Sequence, residues 1–483
     1  MGVAAQTNQR LSPKTIPDSG VVNTFPADTT IAAISTPPGA GGIGIIRISG
    51  SEALPLLKKI FQPKDTTCSF TSHRLYYGHI IQPADSKILD EVLAVFMKGP
   101  QTYTREDVVE IHCHGSYIVL RNILELILHS GCCLATPGEF TKRAFLHGRI
   151  DLTQAEAVID ILSAKTRKGV DLAQEQLSGT LYRKIEPIRE KLVKMRAIVE
   201  VAIDFPDEDV DIVDHQQLIM EVEQTVYQPL QRLLRNADRG KLFREGISLV
   251  IAGLPNVGKS SLLNAILQEE RALVTAVPGT TRDSIEEVVD IMGIPVRIVD
   301  TAGIRDDAGE VEELGIRRAK ELINGADLVL FMIDGSRHVK DEDRRLYDIV
   351  CHKPMLAVVN KIDLCAADLP DLSSFTRVNS WINISAKEQA GIDELKRAVF
   401  ESVTSGGEQW EEEGCAPNVR HKQALIAAVD ACERVSSSLS LGLTNDLIAV
   451  DLQECLDQMA IIVGETTTED ILDVIFEQFC LGK

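Results

Sequence analysis

Short runs of apolar residues with β-branched character occupy the first third of the chain. "IAAIST", "GIGIIRIS", "LYYGHII", "EVLAVFM" and "DVVEIHCHG" fall within residues 31–150, with turns such as "TPPGAGG" and "TPGEF" between them. They predict an α+β domain with several strands. From about residue 152 the period lengthens. Ile188, Leu192, Met195 and Val199 recur at i, i+4, i+7 and i+11, the spacing of one helix face. A mixed βα region runs from about 245 to 402, and Leu452, Leu456, Met459 and Val463 then restore the helical face. Gly464 reads as a helix stop, and Thr467 with Asp470 as a capping box for a last helix.

Two helical blocks flanking a βα region imply one helical domain carrying another domain inserted in it. The 483 residues fit roughly three domains. The boundaries expected are 1–28 for a flexible extension, 29–148 for the α+β domain, 149–242 and 404–483 for the two helical parts, and 243–403 for the insert.

The formal charge of −21 argues against broad nonspecific nucleic-acid binding. Basic clusters at 141–149 and 235–244 leave room for a local site, although such clusters are more often solvated faces. No run of about 18 apolar residues suggests a membrane span, and the first thirty residues do not read as a secretory signal. Ten cysteines, mostly single in apolar runs, fit a reducing cytoplasm better than a disulfide framework. Cys480 stands four residues from the end, where a bystander thiol would be a liability. Prenylation does not explain it, because the chain ends in Lys483.

"SLVIAGLPNVGKSS" (248–261) is an apolar strand, then Gly253-x-x-x-x-Gly258-Lys259-Ser260, then a helix beginning near Ser261. Glycines let backbone N–H groups cradle phosphates, and the helix N-terminus adds its positive end. Lys259 is expected to reach the β- and γ-phosphates, and Ser260 to ligate magnesium. "IVDTAG" (298–303) places Asp300 at a strand end, suited to magnesium, with Gly303 toward the γ-phosphate. "VVNKID" (358–363) supplies Asn360, Lys361 and Asp363 for guanine, and "SAK" supplies Ser385, Ala386 and Lys387. Order and spacing resemble the translation-factor-like GTPases and favour GTP over ATP. Ile304 stands where many GTPases place a water-orienting glutamine. Asn256 is therefore a candidate for holding a monovalent cation against the phosphates, with carbonyls of the 274–283 loop; alternatively it only hydrogen-bonds within its own loop.

With "TPPGAGGIGIIRISG" (36–50), "TYTREDVVEIHCHG" (102–115), "TPGEFTKRAFLHGRIDLTQAEAVIDIL" (136–162), "AIDFPDED" (202–209), "GTTRD" (279–283) and the terminal "FCLGK", the chain resembles the MnmE (TrmE) family over roughly residues 29–483. That family comprises tRNA wobble-uridine modification GTPases. The resemblance implies a multidomain α/β fold: an N-terminal folate-binding-like α+β domain, a discontinuous helical domain and an inserted Ras-like P-loop GTPase domain. It implies a cytoplasmic homodimer and a heterotetramer with the FAD-dependent protein MnmG (GidA), acting on tRNA. The cofactors implied are GTP, magnesium, potassium and 5,10-methylenetetrahydrofolate, with 5-formyltetrahydrofolate as its analogue.

Residue by residue, the family's folate contacts fall on Arg47, Glu110, Arg149 and Lys483. Glu110 has a simpler reading as a partner of Arg143. Potassium falls to Asn256, Thr275, Val277 and Thr280, and magnesium to Ser260 and Thr281. Val257, Gly258 and Ser261 complete the phosphate contacts. Glu312 takes the water-orienting role, and Arg282 and Cys480 join it as catalytic candidates. A rival class is a regulatory ribosome-assembly GTPase that does no covalent RNA chemistry. Such factors usually append a basic RNA-binding module, and this chain instead adds the folate-like domain and a terminal cysteine.

Overall fold

The computed structural model describes residues 29–67, 69–205, 214–270, 286–300, 321–365, 370–378, 380–404 and 415–483. They fall into two compact units. One holds the chain up to Glu156 together with Val463–Lys483, and the other holds Ala157–Ile462.

The first unit is built on seven strands: β1 (Ile31–Ile34), β2 (Gly41–Ser49), β3 (Phe61–Pro63), β4 (Arg74–Gln82), β5 (Lys87–Met97), β6 (Val108–Gly115) and β7 (Cys133–Leu134). Their order is β3-β4-β5-β6-β2-β1-β7, antiparallel except for the β1–β7 pair. Period-2 alternation sorts the side chains between the two faces. Ile46, Ile48, Val109, Ile111 and Cys113 pack with Leu57, Ile60, Ile123 and Ile127 of the helices Ala53–Ile60 and Tyr117–His129. The intervening Arg47, Glu110, His112 and His114 take the other face. Register sets Arg47 directly opposite Glu110. The five apolar runs of this region thus became β1, β2, β4, β5 and β6, while β3 and β7 are too short to show in a hydrophobic pattern.

In the second unit, a six-stranded sheet contains β8 (Ile247–Ala252), β9 (Glu286–Ile291), β10 (Ile294–Asp300), β11 (Leu328–Asp334), β12 (Met355–Asn360) and β13 (Trp381–Asn383). The order is β13-β12-β11-β8-β10-β9, parallel apart from β9. Both faces are buried, as parallel sheets require. Leu249, Ile298, Leu330 and Val358 lie in one core, and Val250, Val299, Phe331 and Val359 in the other. The chain passes from β10 to β11 across β8, so the carboxyl ends beside β8 form the switch point where such sheets take ligands.

The helices Thr180–Asp204, Gln228–Glu245 and Val419–Ser440 also belong to this unit. Ile188, Leu192, Met195 and Val199 are all buried. Along Asn445–Val463 the buried face runs through Leu452, Cys455 and Met459, with Leu456 only half-buried. Gly464 ends that helix at φ +90°. A Cβ there would come within 2.7 Å of the Leu152 side chain.

Two local expectations fail. The last helix, Glu469–Phe476, starts after Thr468 and has no side-chain cap, and the Thr467 hydroxyl is buried without a partner, so no capping box forms. The phosphate-loop helix begins at Lys259 rather than near Ser261. No helix among the described residues is long and apolar enough to cross a membrane.

Candidate functional site

In the second unit, Gly253–Gly258 joins β8 to the helix Lys259–Glu270 at the switch point. Asn256 and Gly258 hold positive φ values of +63° and +101°. A Cβ on Gly258 would stand 2.3 Å from the Asn360 amide nitrogen, so the close approach of β12 requires glycine there. Asn360 is buried: its Nδ2 donates to the Val257 carbonyl at 2.8 Å, and its Oδ1 accepts from the Ala386 N–H at 3.0 Å. One amide therefore ties the phosphate loop to the "SAK" turn. Lys259 Nζ folds under the loop, donating to the carbonyls of Gly253 and Leu254 at 2.9 and 3.1 Å. Val257 is buried, while Asn256, Ser260 and Ser261 are exposed along the loop and helix start.

The residues expected on the guanine side also converge. Ser385 Oγ donates to Asp363 at 2.6 Å and accepts from the Glu388 N–H at 3.2 Å. Lys361, in left-handed conformation at φ +64°, donates to the Asn256 carbonyl at 2.7 Å and to Asp334 at 2.6 Å. Burial opposes ionisation of Asp334, but hydrogen bonds from Lys361 and Ser336 outweigh it and leave its pKa below the ordinary carboxylate value. Lys387 is exposed beside Glu388. Asp300 ends β10 level with Ile251 of β8. Thr275, Val277, Thr280, Thr281, Arg282, Gly303 and Glu312 lie outside the described residues, as does the side chain of Asp300.

In the first unit, Arg47 Nε donates to Glu110 Oε1 at 2.9 Å, and its second nitrogen lies at 2.9 Å from the same oxygen. The simpler reading of Glu110 is overturned: Arg143 pairs instead with Glu139 at 2.8 Å and Glu106 at 3.0 Å. The chain terminus reaches this pair. Arg47 NH1 and Ser35 Oγ donate to the Gly482 carbonyl at 3.4 and 3.1 Å. Gly482 has φ +90°, and a Cβ would fall 2.4 Å from the Ile34 carbonyl oxygen. Phe476 and Phe479 are buried and hold the preceding turn, which leaves Cys480 exposed. Lys483, half-exposed, follows directly. Arg149 lies over the Tyr103 ring at 4.7 Å.

On the same strand as Glu110, Cys113 faces the core and burial pushes its pKa up to about 12. His112 Nε2 is buried without a hydrogen-bond partner, 3.6 Å from Glu110 Oε2. Such an orphan beside an ion pair leaves one polar atom there open to a further hydrogen-bond partner. Asp334, Ser35 and Tyr103 join these sites without having been singled out in the sequence. Asp334 had a signal, since "LVLFMID" ends an apolar strand on an aspartate as "IVD" does.

The model for the MnmE helical domain matches residues 152–480, and that for the GTP-binding protein TrmE N-terminus matches residues 30–149. This chain belongs to the MnmE family. A tRNA modification GTPase MnmE of Desulfotalea psychrophila is 61% identical over 94% of this chain and 98% of its own length. One of Alkaliphilus oremlandii is 49% identical over 94% and 99%. Among solved structures, the FeoB G-domain from Methanococcus jannaschii is 26% identical, covers 33% of this chain and 98% of its own, and has a TM-score of 0.25. Within the MnmE family, then, this chain is a tRNA modification GTPase with a P-loop domain.

Proposed function

We propose that this GTPase is stimulated by potassium and works as a homodimer with the FAD-dependent protein MnmG (GidA) in the cytoplasm. The complex adds an aminomethyl or carboxymethylaminomethyl group to carbon 5 of the tRNA wobble uridine. A bound tetrahydrofolate would supply the one-carbon unit.

The observation that carries this reading is the return of the C-terminal residues to the Arg47–Glu110 pair through the Gly482 carbonyl. A pterin presents donor and acceptor edges, and a carboxylate beside a guanidinium offers the complementary set. Glu110 would accept from the pterin, Arg47 would hold Glu110 in orientation, and Lys483 would close the site. Cys480, carried on the same tail, would stand next to it. In the other unit, Lys259 would turn from the Gly253 and Leu254 carbonyls to the β- and γ-phosphates. Ser260 and Thr281 would hold magnesium with Asp300. Asn256, Thr275, Val277 and Thr280 would hold potassium, and Glu312 would orient water beside Arg282.

The test is equilibrium binding of 5-formyltetrahydrofolate to the full chain. Saturable binding that Arg47→Ala abolishes is expected; no binding by the wild type contradicts the reading and favours a regulatory GTPase.

A further inference from the structure

Tyr103 joins the two arginines that the sequence separates. The Arg47 guanidinium lies 5.9 Å from its ring centroid and that of Arg149 lies 4.7 Å away. The ring is itself fixed. Its hydroxyl shares a 2.9 Å hydrogen bond with the buried Thr141, and it packs on the core of Ile31, Ala33, Ala135 and Phe140.

The two arginines differ in what else holds them. Arg47 has Glu110, the Gly482 carbonyl and the Phe140 ring at 5.7 Å. Among the described residues, Arg149 has the Tyr103 ring and, at 3.0 Å, the Tyr103 carbonyl. Their charges differ too. Arg47 is balanced by Glu110. Arg149 is exposed, with no carboxylate partner among the described residues.

We propose that Tyr103 is a positioning residue that presents Arg149 to the carboxylate tail of a conjugated folate, so that the site selects pteroylglutamates over bare pterins. This rests on the folate reading above. A folate is uncharged at its pterin end and anionic at its glutamate end. The Glu110 carboxylate favours the pterin's N–H groups and repels the tail, which is drawn to the unbalanced cation. Of the five donors of a guanidinium, the Tyr103 carbonyl takes one, which leaves a free edge for bidentate carboxylate binding. The aromatic face orients that edge through cation–π attraction while its tip stays in water.

The experiment compares two probes on the full-length chain: 5-formyltetrahydrofolate, and 5-formyltetrahydropterin, which lacks the glutamyl tail. The wild type should bind the first about tenfold or more tightly than the second. Tyr103→Leu should remove most of that difference by weakening the folate and sparing the pterin, with GTP turnover unchanged. Tyr103→Phe, which keeps the ring, should retain it. Arg149→Gln should abolish the difference, and Tyr103→Leu should then add nothing further. That double variant keeps the test decisive if the single Tyr103→Leu protein is unstable. An equal loss for both probes, or no loss, overturns the positioning role while leaving the folate reading intact. Failure of the wild type to bind 5-formyltetrahydrofolate overturns both.

Discussion

Asp334 and Cys480 are single residues whose surroundings give separable predictions. Asp334 keeps its charge because Lys361 and Ser336 hydrogen-bond it against the cost of burial. Its folded pKa lies below the unfolded value, so the pair stabilises fully above the unfolded value and is lost as pH falls through the folded one. Asp334→Asn should cost about 1–2 kcal/mol at neutral pH. Thermal unfolding of wild type and variant should differ at pH 7 and converge only below about pH 4; a gap that widens in acid would contradict this. Cys480 is exposed on a tail whose neighbours Phe476 and Phe479 are buried, so packing does not explain the thiol. Cys480→Ser should leave GTP turnover near wild type while wobble-uridine modification collapses in cells. Normal modification by a folded Cys480→Ser protein would remove any chemical role. With Glu312 in the proposed water-orienting role, which acts mainly in the transition state, Glu312→Ala should lower kcat by about 10²-fold with nucleotide affinity kept. A large loss of GTP affinity would make it a binding residue instead.

Among elements, the terminal tail and the phosphate loop each depend on one glycine at positive φ. Gly482→Ala would force a Cβ within 2.4 Å of the Ile34 carbonyl oxygen, so the tail must leave β1 and release Arg47. Affinity for 5-formyltetrahydrofolate should fall about tenfold or more, with nucleotide binding unaffected. Unchanged folate binding in a calorimetric titration would show that the tail does not build that site. Period and punctuation made these elements legible in advance. Alternation gave five strands of the first sheet, and Gly464 marked a helix end. The failed capping box shows the limit of spacing. Thr467 has the correct offset from Asp470, but the chain places Thr468 at the cap and buries the Thr467 hydroxyl instead. Register was equally invisible. Arg47 and Glu110 lie 63 positions apart, and only the pairing of β2 with β6 sets them face to face. Tyr103 escaped for the same reason, because its value lies in what two distant arginines do beside it.

At the scale of the whole molecule, the residues of each site belong to one unit. Arg47, Glu110, Arg149, Cys480 and Lys483 lie in the first, and the phosphate loop, Asn360 and Asp363 in the second. In the proposed function, one chain joins GTP hydrolysis to modification of tRNA through both sites. Mass spectrometry of tRNA nucleosides tests it most directly, in cells lacking this protein and in the same cells supplied with wild type, Lys259→Ala or Arg47→Ala chains. The aminomethyl and carboxymethylaminomethyl wobble uridines should disappear in cells lacking the protein, return with the wild type, and return with neither variant. Unchanged wobble nucleosides in the cells that lack it, or full restoration by Arg47→Ala, would contradict the account.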